Sequence, residues 1–302
     1  NLVVIVLQHT LFIFGNIYCS ESNIPQLLIT KMKNWYFILL LHFLVYGCNS
    51  NAQQQQDPIP VHDSLKIDSK ILGETRTINI WTPPQYAQQT DSLPVIYMPD
   101  GGINEDFPHI ANTIDALIKS KQIPPVILVG IENIQRRKDL TGPTEVAEDK
   151  KVAPVIGGAE KFRSFLKEDL FPEINKRYRT TEKKGIIGES LAGLFIVETF
   201  LTNPDMFDYY IAMDPSMWWN NHYLVRTANN YLSKLPANEK RLWFAGSKAK
   251  DISKYTNEFS KSLASENLST LKWKYSPEPK EQHQTIYRAT KEKALIWIFN
   301  LK

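Results

Sequence analysis

The chain has 302 residues, of which 43% are hydrophobic and 22% charged, as in ordinary globular proteins. Its 35 basic and 32 acidic residues give a net charge of +3, and the two signs are interspersed. Such a surface has no basic field for a polyanion, so we expect no nucleic-acid partner. Both cysteines, Cys19 and Cys48, lie in the first fifth of the chain, which predicts neither a disulfide nor a thiolate metal site in the rest.

The first recognisable element is an export signal that begins at Met32. Lys33 supplies a positive start, an apolar stretch runs from Trp35 to Tyr46, and the sequence VYGC ending at Cys48 resembles a bacterial lipobox. The resemblance implies cleavage before Cys48 and lipid attachment to its sulfur, which would place a lipoprotein in the cell envelope, facing the periplasm. A membrane-spanning helix is the alternative, but the apolar stretch is shorter than the roughly 20 residues that a bilayer needs.

These features divide the chain into four predicted segments. Residues 1–31 are interpreted as translated upstream sequence or an extra apolar segment, and residues 32–47 as the signal peptide. Residues 48–59 are polar and rich in glutamine, which predicts a flexible tether. Residues 60–302 are predicted to form one large α/β domain.

From about Val61, short apolar runs alternate with longer amphipathic ones, which is typical of a mainly parallel sheet with helices on both faces. Strands are predicted over residues 75–83, 93–102, 124–133, 184–190, 208–216, 241–247 and 271–278. Helices are predicted over residues 110–118, 159–178, 191–201, 223–235, 255–263 and 291–299. Ligands bind beyond the carboxyl ends of the strands in such sheets, so the residues that close each strand are candidates for chemistry.

The sequence GESLA, residues 188–192, lies between an apolar strand and an apolar helix, which is the setting of a nucleophile elbow. Small residues at Gly188 and Ala192 fit this interpretation, because larger ones would collide with the neighbouring strand and helix. The turn would expose the Ser190 hydroxyl and leave the Leu191 N–H free to bind an oxyanion. A serine that only caps the following helix is the alternative.

A serine hydroxyl is a weak nucleophile until a base takes its proton. His283 follows the last predicted strand, where the chain order serine, acid, histidine of α/β hydrolases places that base. For His109 and His222 we expect surface or supporting roles instead.

The acid that would orient this histidine is less well defined. Asp251 lies just beyond a predicted strand, in the commonest position, and is preferred. Asp214 closes the preceding strand and is an alternative, as are Glu278 and Glu281 near His283. A catalytic dyad without a fixed acid also remains open.

The second oxyanion donor is expected in the loop after residues 93–99. Gly101 and Gly102 would let the backbone approach an oxyanion without an intervening side chain, and the N–H of Gly102 is favoured. A plain turn is the alternative, since Asp-Gly is a common turn dipeptide.

These residues resemble the branch of α/β hydrolases that includes esterase D, and especially its siderophore trilactone esterases. The resemblance covers most of residues 60–300 and is carried by YMPDGG, RRKDLTGP, IIGESLAGLF, DPSMWW and EQHQTI. It implies an α/β-hydrolase fold. The site residues that it implies are the nucleophile Ser190, the base His283, backbone donors near Gly102 and Leu191, and the cleft residues Arg137 and Trp218. Glu189 stands where the family more often has histidine.

The sequence allows more than one role for the paired arginines and for the paired tryptophans. Arg136 and Arg137, next to Asp139, either form a structural ion pair or present a guanidinium to an anionic substrate. One of Trp218 and Trp219 is expected to face the cleft, because neighbours on an extended segment point to opposite sides.

The sequence therefore predicts a serine esterase that acts on a small-molecule ester, with a ferric-siderophore ester as the first expectation. Neither a metal nor a cofactor is expected, and membrane contact is expected only through the lipid anchor. Feruloyl or acetyl esters on polysaccharide are the alternative substrates. A binding lipoprotein that has kept the fold and lost the chemistry is the alternative class, and the oligomeric state stays open.

Overall fold

The computed structural model describes residues 57–300. The predicted segments 1–31 and 32–47, and Cys48, lie outside the described residues, as does most of the predicted tether. The last residues of that tether contact the domain: Asp57 pairs with Arg288, and the Pro58 carbonyl accepts a hydrogen bond from Asn112 Nδ2 at 2.7 Å. Within residues 57–300, no helix is long and apolar enough to span a membrane.

The centre of the described part is an eight-stranded sheet with the strand order β1-β2-β4-β3-β5-β6-β7-β8. The strands are β1 (Asp63–Ser69), β2 (Glu74–Trp81), β3 (Leu93–Pro99), β4 (Ile127–Ile131), β5 (Thr180–Glu189), β6 (Tyr209–Met213), β7 (Lys240–Gly246) and β8 (Leu271–Pro277). Strands β3 to β8 are parallel, whereas β1 and β2 pair antiparallel at one edge. The predicted, mainly parallel sheet is confirmed. Strand β1 was not predicted, because its only apolar residues are Leu65 and Ile67.

Helices cover both faces of the sheet. They are α1 (Phe107–Lys119), α2 (Arg136–Leu140), α3 (Ala147–Val152), α4 (Ala159–Phe165), α5 (Phe171–Arg177), α6 (Leu191–Thr202), α7 (Trp219–Leu232), α8 (Lys250–Glu266) and α9 (Ile286–Asn300). A π-helical turn, Leu166–Leu170, joins α4 to α5. Neighbouring strand residues such as Val95 and Ile96 belong to different hydrophobic clusters, so both faces of the sheet are buried.

The junction between β5 and α6 is closely packed. A Cβ added to Gly188 would lie 2.6 Å from the Cβ of Ala192, and one added to Gly193 would lie 2.9 Å from the carbonyl oxygen of Met213. The predicted need for small residues around Ser190 is therefore confirmed. Nearly every residue of α6 is buried, which fixes the helix between the sheet and its neighbours.

Strand register aligns the carboxyl ends of β5, β6 and β7. Glu189 pairs with Met213, and Met213 pairs with Ala245. The loops that follow these three strands consequently start side by side. The loop after β8 is joined to the end of β7 by two backbone hydrogen bonds, from the Lys248 N–H to the Glu281 carbonyl (3.1 Å) and from the Glu278 N–H to the Gly246 carbonyl (2.8 Å).

Candidate active site

Ser190 lies at the tight turn between β5 and α6 with φ 61° and ψ −118°. Residues other than glycine rarely adopt such a positive φ. Its N–H donates to the Met213 carbonyl at 3.0 Å, and its own carbonyl accepts from the Ser216 N–H at 3.1 Å. Strained backbone persists only where its surroundings determine it, and these bonds to the end of β6 and the following loop supply that support.

The hydroxyl of Ser190 faces His283. The distance from Ser190 Oγ to His283 Nε2 is 3.1 Å, and His283 Nδ1 lies 2.7 Å from Asp214 Oδ2. An ionised carboxylate only accepts hydrogen bonds, so Nδ1 carries the proton and Nε2 is left to accept from the serine. The three side chains therefore form a hydrogen-bonded chain with the geometry of a serine hydrolase triad.

Asp214 is fully buried, and three donors surround its carboxylate. The Ser247 N–H binds Oδ1 at 2.5 Å, and the Ser247 hydroxyl binds Oδ2 at 2.8 Å, beside His283 Nδ1. These bonds compensate for burial of the carboxylate and hold it in the orientation that fixes the imidazole.

The preference for Asp251 as the orienting acid is wrong in this geometry, and the alternative Asp214 takes that position. Asp251 is exposed on the first turn of α8, because the short loop after β7 leads directly into that helix. Glu281 accepts instead from the Thr285 hydroxyl at 2.7 Å, and Glu278 from the Ser276 hydroxyl at 2.7 Å.

The environment of His283 suits a general base. The hydrogen bond to Asp214 is the largest cause of a raised pKa of His283, and burial opposes it. The nearby carboxyl groups of Asp251 and Glu189 raise the pKa further when they are ionised. A raised pKa means that the surroundings stabilise the protonated imidazolium, which is the form of His283 that arises when it takes the proton of the serine.

The predicted oxyanion donors differ in their surroundings. Leu191 is the first residue of α6, so its N–H is among those that a helix leaves without an intrahelical partner. The Gly102 N–H, in contrast, donates to Glu105 Oε2 at 2.7 Å, while the Glu105 N–H donates back to the Gly102 carbonyl at 2.9 Å. Both bonds close a tight turn over residues 102–105, so the N–H of Gly102, expected to be a free donor, is engaged by the Glu105 carboxyl group.

Gly101 is required for close packing against β4. A Cβ at Gly101 would lie 2.3 Å from the Cα of Gly130 on β4, which leaves no room for any side chain. The Gly101 N–H donates to the Ile131 carbonyl at 2.9 Å, so both glycine N–H groups that were expected to be free for an oxyanion are bonded within the described residues.

The two arginines after β4 have different environments. Arg136 Nε and Nη2 donate to the two carboxylate oxygens of Asp100 at 2.6 and 2.7 Å, and Nη2 lies 3.4 Å from the Glu189 carbonyl. Asp139 pairs with Arg76 Nη2 at 2.6 Å, so the predicted ion pair between Asp139 and these arginines is wrong. Arg137 is exposed, and its guanidinium has no hydrogen-bond partner among residues 57–300.

The two tryptophans lie at the start of α7. Trp219 is buried and donates from Nε1 to the Gly142 carbonyl at 3.2 Å, whereas Trp218 is only partly buried. Trp219 belongs to the hydrophobic core and Trp218 packs against the same cluster from a partly buried position. Because Trp218 has helical backbone angles (φ −69°, ψ −19°), the reasoning from an extended segment does not hold.

His109 and His222, the histidines with predicted surface or supporting roles, make no hydrogen bond to Ser190. His109 is buried against Tyr287, with ring centroids 5.4 Å apart. His222 stacks on Tyr255, with ring centroids 3.7 Å apart.

Two serines of the site were not predicted from the sequence. Ser216 is buried, with its Oγ 3.4 Å from Ser190 Oγ, and Ser247 supports Asp214. Each follows a strand end at the active edge of the sheet, which was the signal available in the sequence.

Glu189, next to the nucleophile, is partly buried, and its Oε1 has no hydrogen-bond partner in the described residues. Burial raises the pKa of its carboxyl group to about 8. The positive charges of His283 and Arg136 oppose this effect, and the carboxylates of Asp106 and Asp214 reinforce it. Near neutral pH this carboxyl group is therefore mainly uncharged.

Comparison with known proteins agrees with this geometry. The family model described as Putative esterase matches residues 69–293, which is most of the chain. The chain belongs to this family. The resemblance predicted from the sequence is thereby confirmed.

Individual relatives support the same assignment. The chain is 34% identical over 189 residues to the ferri-bacillibactin esterase BesA of Bacillus subtilis, an alignment that covers 56% of this chain and 63% of that protein. An IroE-like serine hydrolase from Shewanella oneidensis has 25% identity and a TM-score of 0.73, with 79% of this chain and 80% of that chain covered. The BES protein of Bacillus cereus has 26% identity and a TM-score of 0.71, with 82% and 99% covered. The α/β-hydrolase fold is confirmed.

The two candidate acids can be separated by mutation. We expect Asp214→Asn to lower kcat by up to about 10⁴, because an amide cannot stabilise the imidazolium and favours the wrong tautomer of His283. Asp251→Asn is the matched control and should change kcat by less than about threefold, since an exposed charge acts weakly at a distance. Steady-state hydrolysis of p-nitrophenyl acetate measures both. Equal activity of Asp214→Asn and wild type would instead indicate a dyad.

The raised pKa of Glu189 predicts a pH-dependent stability. The folded-state value of about 8 exceeds the ordinary 4.5, so the folded chain holds a proton that the unfolded chain releases, and stability falls as pH rises between these values. We expect Glu189→Gln to raise the free energy of unfolding by roughly 2–4 kcal/mol at pH 9 and by little at pH 4.5.

Urea unfolding at both pH values measures this difference, with the exposed Glu148→Gln as the control. A change of the same size at pH 4.5 and pH 9 would contradict the proposed protonation of Glu189.

Proposed function

We propose that the protein is a serine esterase that hydrolyses siderophore esters through an acyl-enzyme. The observation that carries the proposal is the hydrogen-bonded chain from Ser190 through His283 to Asp214, with distances of 3.1 and 2.7 Å. Membership of an esterase family supports hydrolysis of esters as the reaction of these three residues.

The side chains account for each step of ester hydrolysis. His283 Nε2 takes the proton as Ser190 Oγ attacks the ester carbonyl, and Asp214 stabilises the resulting imidazolium. The Leu191 N–H and the amino end of α6 stabilise the oxyanion. His283 then donates its proton to the leaving alcohol, and the same residues activate a water molecule that releases the acid.

The substrate class comes from the relatives. The similar Bacillus subtilis protein is named a ferri-bacillibactin esterase, and the similar Shewanella oneidensis structure is described as an IroE-like serine hydrolase. The aligned region covers less than two thirds of the Bacillus subtilis relative, so its substrate is carried over as a proposal. A feruloyl or acetyl esterase and a binding lipoprotein without turnover are the competing functions.

One preparation distinguishes these functions. We expect a fluorophosphonate probe to label the wild-type chain but not Ser190→Ala, and His283→Ala to lose at least about 10³-fold in turnover. A panel of ferric tricatecholate trilactones, feruloylated sugars and acetylated xylan then identifies the substrate, with the trilactones expected to give the highest kcat/KM. Labelling that survives in Ser190→Ala refutes the nucleophile, and binding of the trilactones without turnover favours the binding lipoprotein.

We further propose that the esterase is anchored to the cell envelope and faces the periplasm. The apolar stretch from residue 35 to 46 and the lipobox-like sequence before Cys48 support this proposal. Expression of the full chain in a Gram-negative bacterium with a labelled fatty acid should yield a labelled protein, and Cys48→Ser should abolish the label. An unlabelled wild-type chain would contradict the anchor.

A further inference from the structure

The hydroxyl group of Ser216 has an unusual hydrogen-bond environment. Ser216 is only 2% exposed, and its Oγ lies 3.4 Å from Ser190 Oγ. Among residues 57–300, Ser190 Oγ is the one hydrogen-bond partner of this hydroxyl. Buried hydroxyl groups normally form a good hydrogen bond, with an O–H···O distance of about 2.7–2.8 Å. The Ser216 hydroxyl is therefore a buried group whose bond to the nucleophile is longer than usual.

The direction of this bond follows from the number of protons in the cluster. Each serine hydroxyl carries one proton, and the imidazole of His283 uses its Nδ1 proton for Asp214. The Ser190 proton is donated to His283 Nε2, at 3.1 Å. Between the two serines the donor is therefore Ser216, and Ser190 Oγ is the acceptor. The nucleophilic oxygen thus gives its proton to the histidine and receives a second hydrogen bond from Ser216.

Backbone contacts hold Ser216 in this position. Its N–H donates to the Ser190 carbonyl, and its carbonyl accepts from the Trp219 N–H, both at 3.1 Å. The preceding Pro215 packs against the start of α6, since a Cβ added to Gly193 would lie 3.0 Å from the Pro215 Cα. The Ser216 hydroxyl is therefore fixed relative to the turn that holds the nucleophile, as a preorganised donor requires.

We propose that Ser216 is a catalytic residue whose hydroxyl stabilises Ser190 Oγ while that oxygen carries negative charge. The proposal rests on the serine esterase function. In acylation, the Ser190 O–H bond breaks, its proton passes to His283 Nε2, and Oγ forms a bond to the ester carbonyl carbon. In deacylation, that bond breaks, its electron pair returns to Oγ, and His283 supplies the proton that it took from water. Ser216 keeps its own proton in both steps.

The hydrogen bond from Ser216 should strengthen in the transition states. A hydrogen bond to a charged acceptor is shorter and roughly twice as strong as one between neutral groups. At 3.4 Å the contact contributes little before Ser190 gives up its proton, so its effect falls on the reaction barriers. Because the same oxygen is charged in both steps, loss of the hydroxyl should slow acylation and deacylation by the same factor. Equal slowing of the two steps lowers kcat and leaves KM unchanged.

Removal of the hydroxyl tests this role. We expect Ser216→Ala to lower kcat for p-nitrophenyl acetate about tenfold, with KM within about twofold of wild type. The second-order rate constant of fluorophosphonate labelling should fall by a similar factor, because labelling reports attack by Ser190 Oγ without deacylation. Ser216→Thr keeps a hydroxyl and should retain kcat within about threefold of wild type. Ser216→Cys has a weaker donor, and its kcat should lie between those of the alanine variant and wild type.

A second buried serine provides the matched control. Ser260, on α8, donates from its hydroxyl to the Asn257 carbonyl at 2.7 Å, so Ser260→Ala makes the same change away from the nucleophile. This variant should keep the wild-type kcat. Urea unfolding midpoints show whether a variant that loses activity is still folded.

Three results overturn the proposal. They are a folded Ser216→Ala with kcat within about twofold of wild type, a change confined to KM, and a folded Ser216→Thr that loses as much as Ser216→Ala. If the alanine or threonine variant unfolds, Ser216→Cys decides, and a wild-type kcat in that variant overturns the proposal. These results leave the esterase assignment intact, because the wild type still hydrolyses the ester and reacts with the fluorophosphonate. A wild type that does neither refutes both.

Discussion

The strained backbone of Ser190 is the constraint on which the rest of the site depends. Its N–H and carbonyl bond to Met213 and Ser216, which flank Asp214, at 3.0 and 3.1 Å. The pairing of β5 with β6 therefore positions the nucleophile and its orienting acid together. This coupling also explains the small residues at the junction, because a larger residue at Gly188 would push α6 away from the strand that supports the turn.

Two carboxyl groups lie near His283, and their surroundings give them different chemistry. Asp214 receives hydrogen bonds from Ser247 and from His283 itself, which suits a charged group that orients the imidazole. Glu189 is partly buried, has one oxygen without a partner in the described part of the chain, and has a raised pKa. Neighbouring carboxyl groups in unequal environments are a common means of keeping one ionised and the other neutral at the same pH. Asp214 is therefore the carboxyl group that orients the base, whereas Glu189 is mainly uncharged near neutral pH.

The sequence predicted those parts of the site that depend on local pattern. The strand ends, the turn at Ser190 and the position of His283 follow from apolar runs and their order along the chain, and the structure brings the two side chains within 3.1 Å. The acid could not be chosen in this way, because Asp214 and Asp251 both follow strands, and the decision depends on where α8 begins. The left-handed turn at residues 220–222 likewise depends on a contact between segments distant in sequence, from the Asn220 N–H to Asp149, and on unusual backbone angles.

Because the acid follows β6, the loop that carries the base His283 must reach the end of that strand. His283 comes from the loop after β8, and β7 lies between β8 and β6, so this loop must cross the end of β7 to reach Asp214. Two backbone hydrogen bonds from the loop to the end of β7 fix that crossing, and Ser247, the next residue after β7, donates twice to Asp214. The end of β7, where an acid is commonest, instead carries the groups that hold the acid of the neighbouring strand. A carboxylate in place of Ser247 would lie next to the Asp214 carboxylate. Two adjacent buried carboxyl groups cannot both be ionised. A carboxyl group at the first position after β7 would therefore replace two donors to Asp214 with an acidic group that must stay protonated beside it.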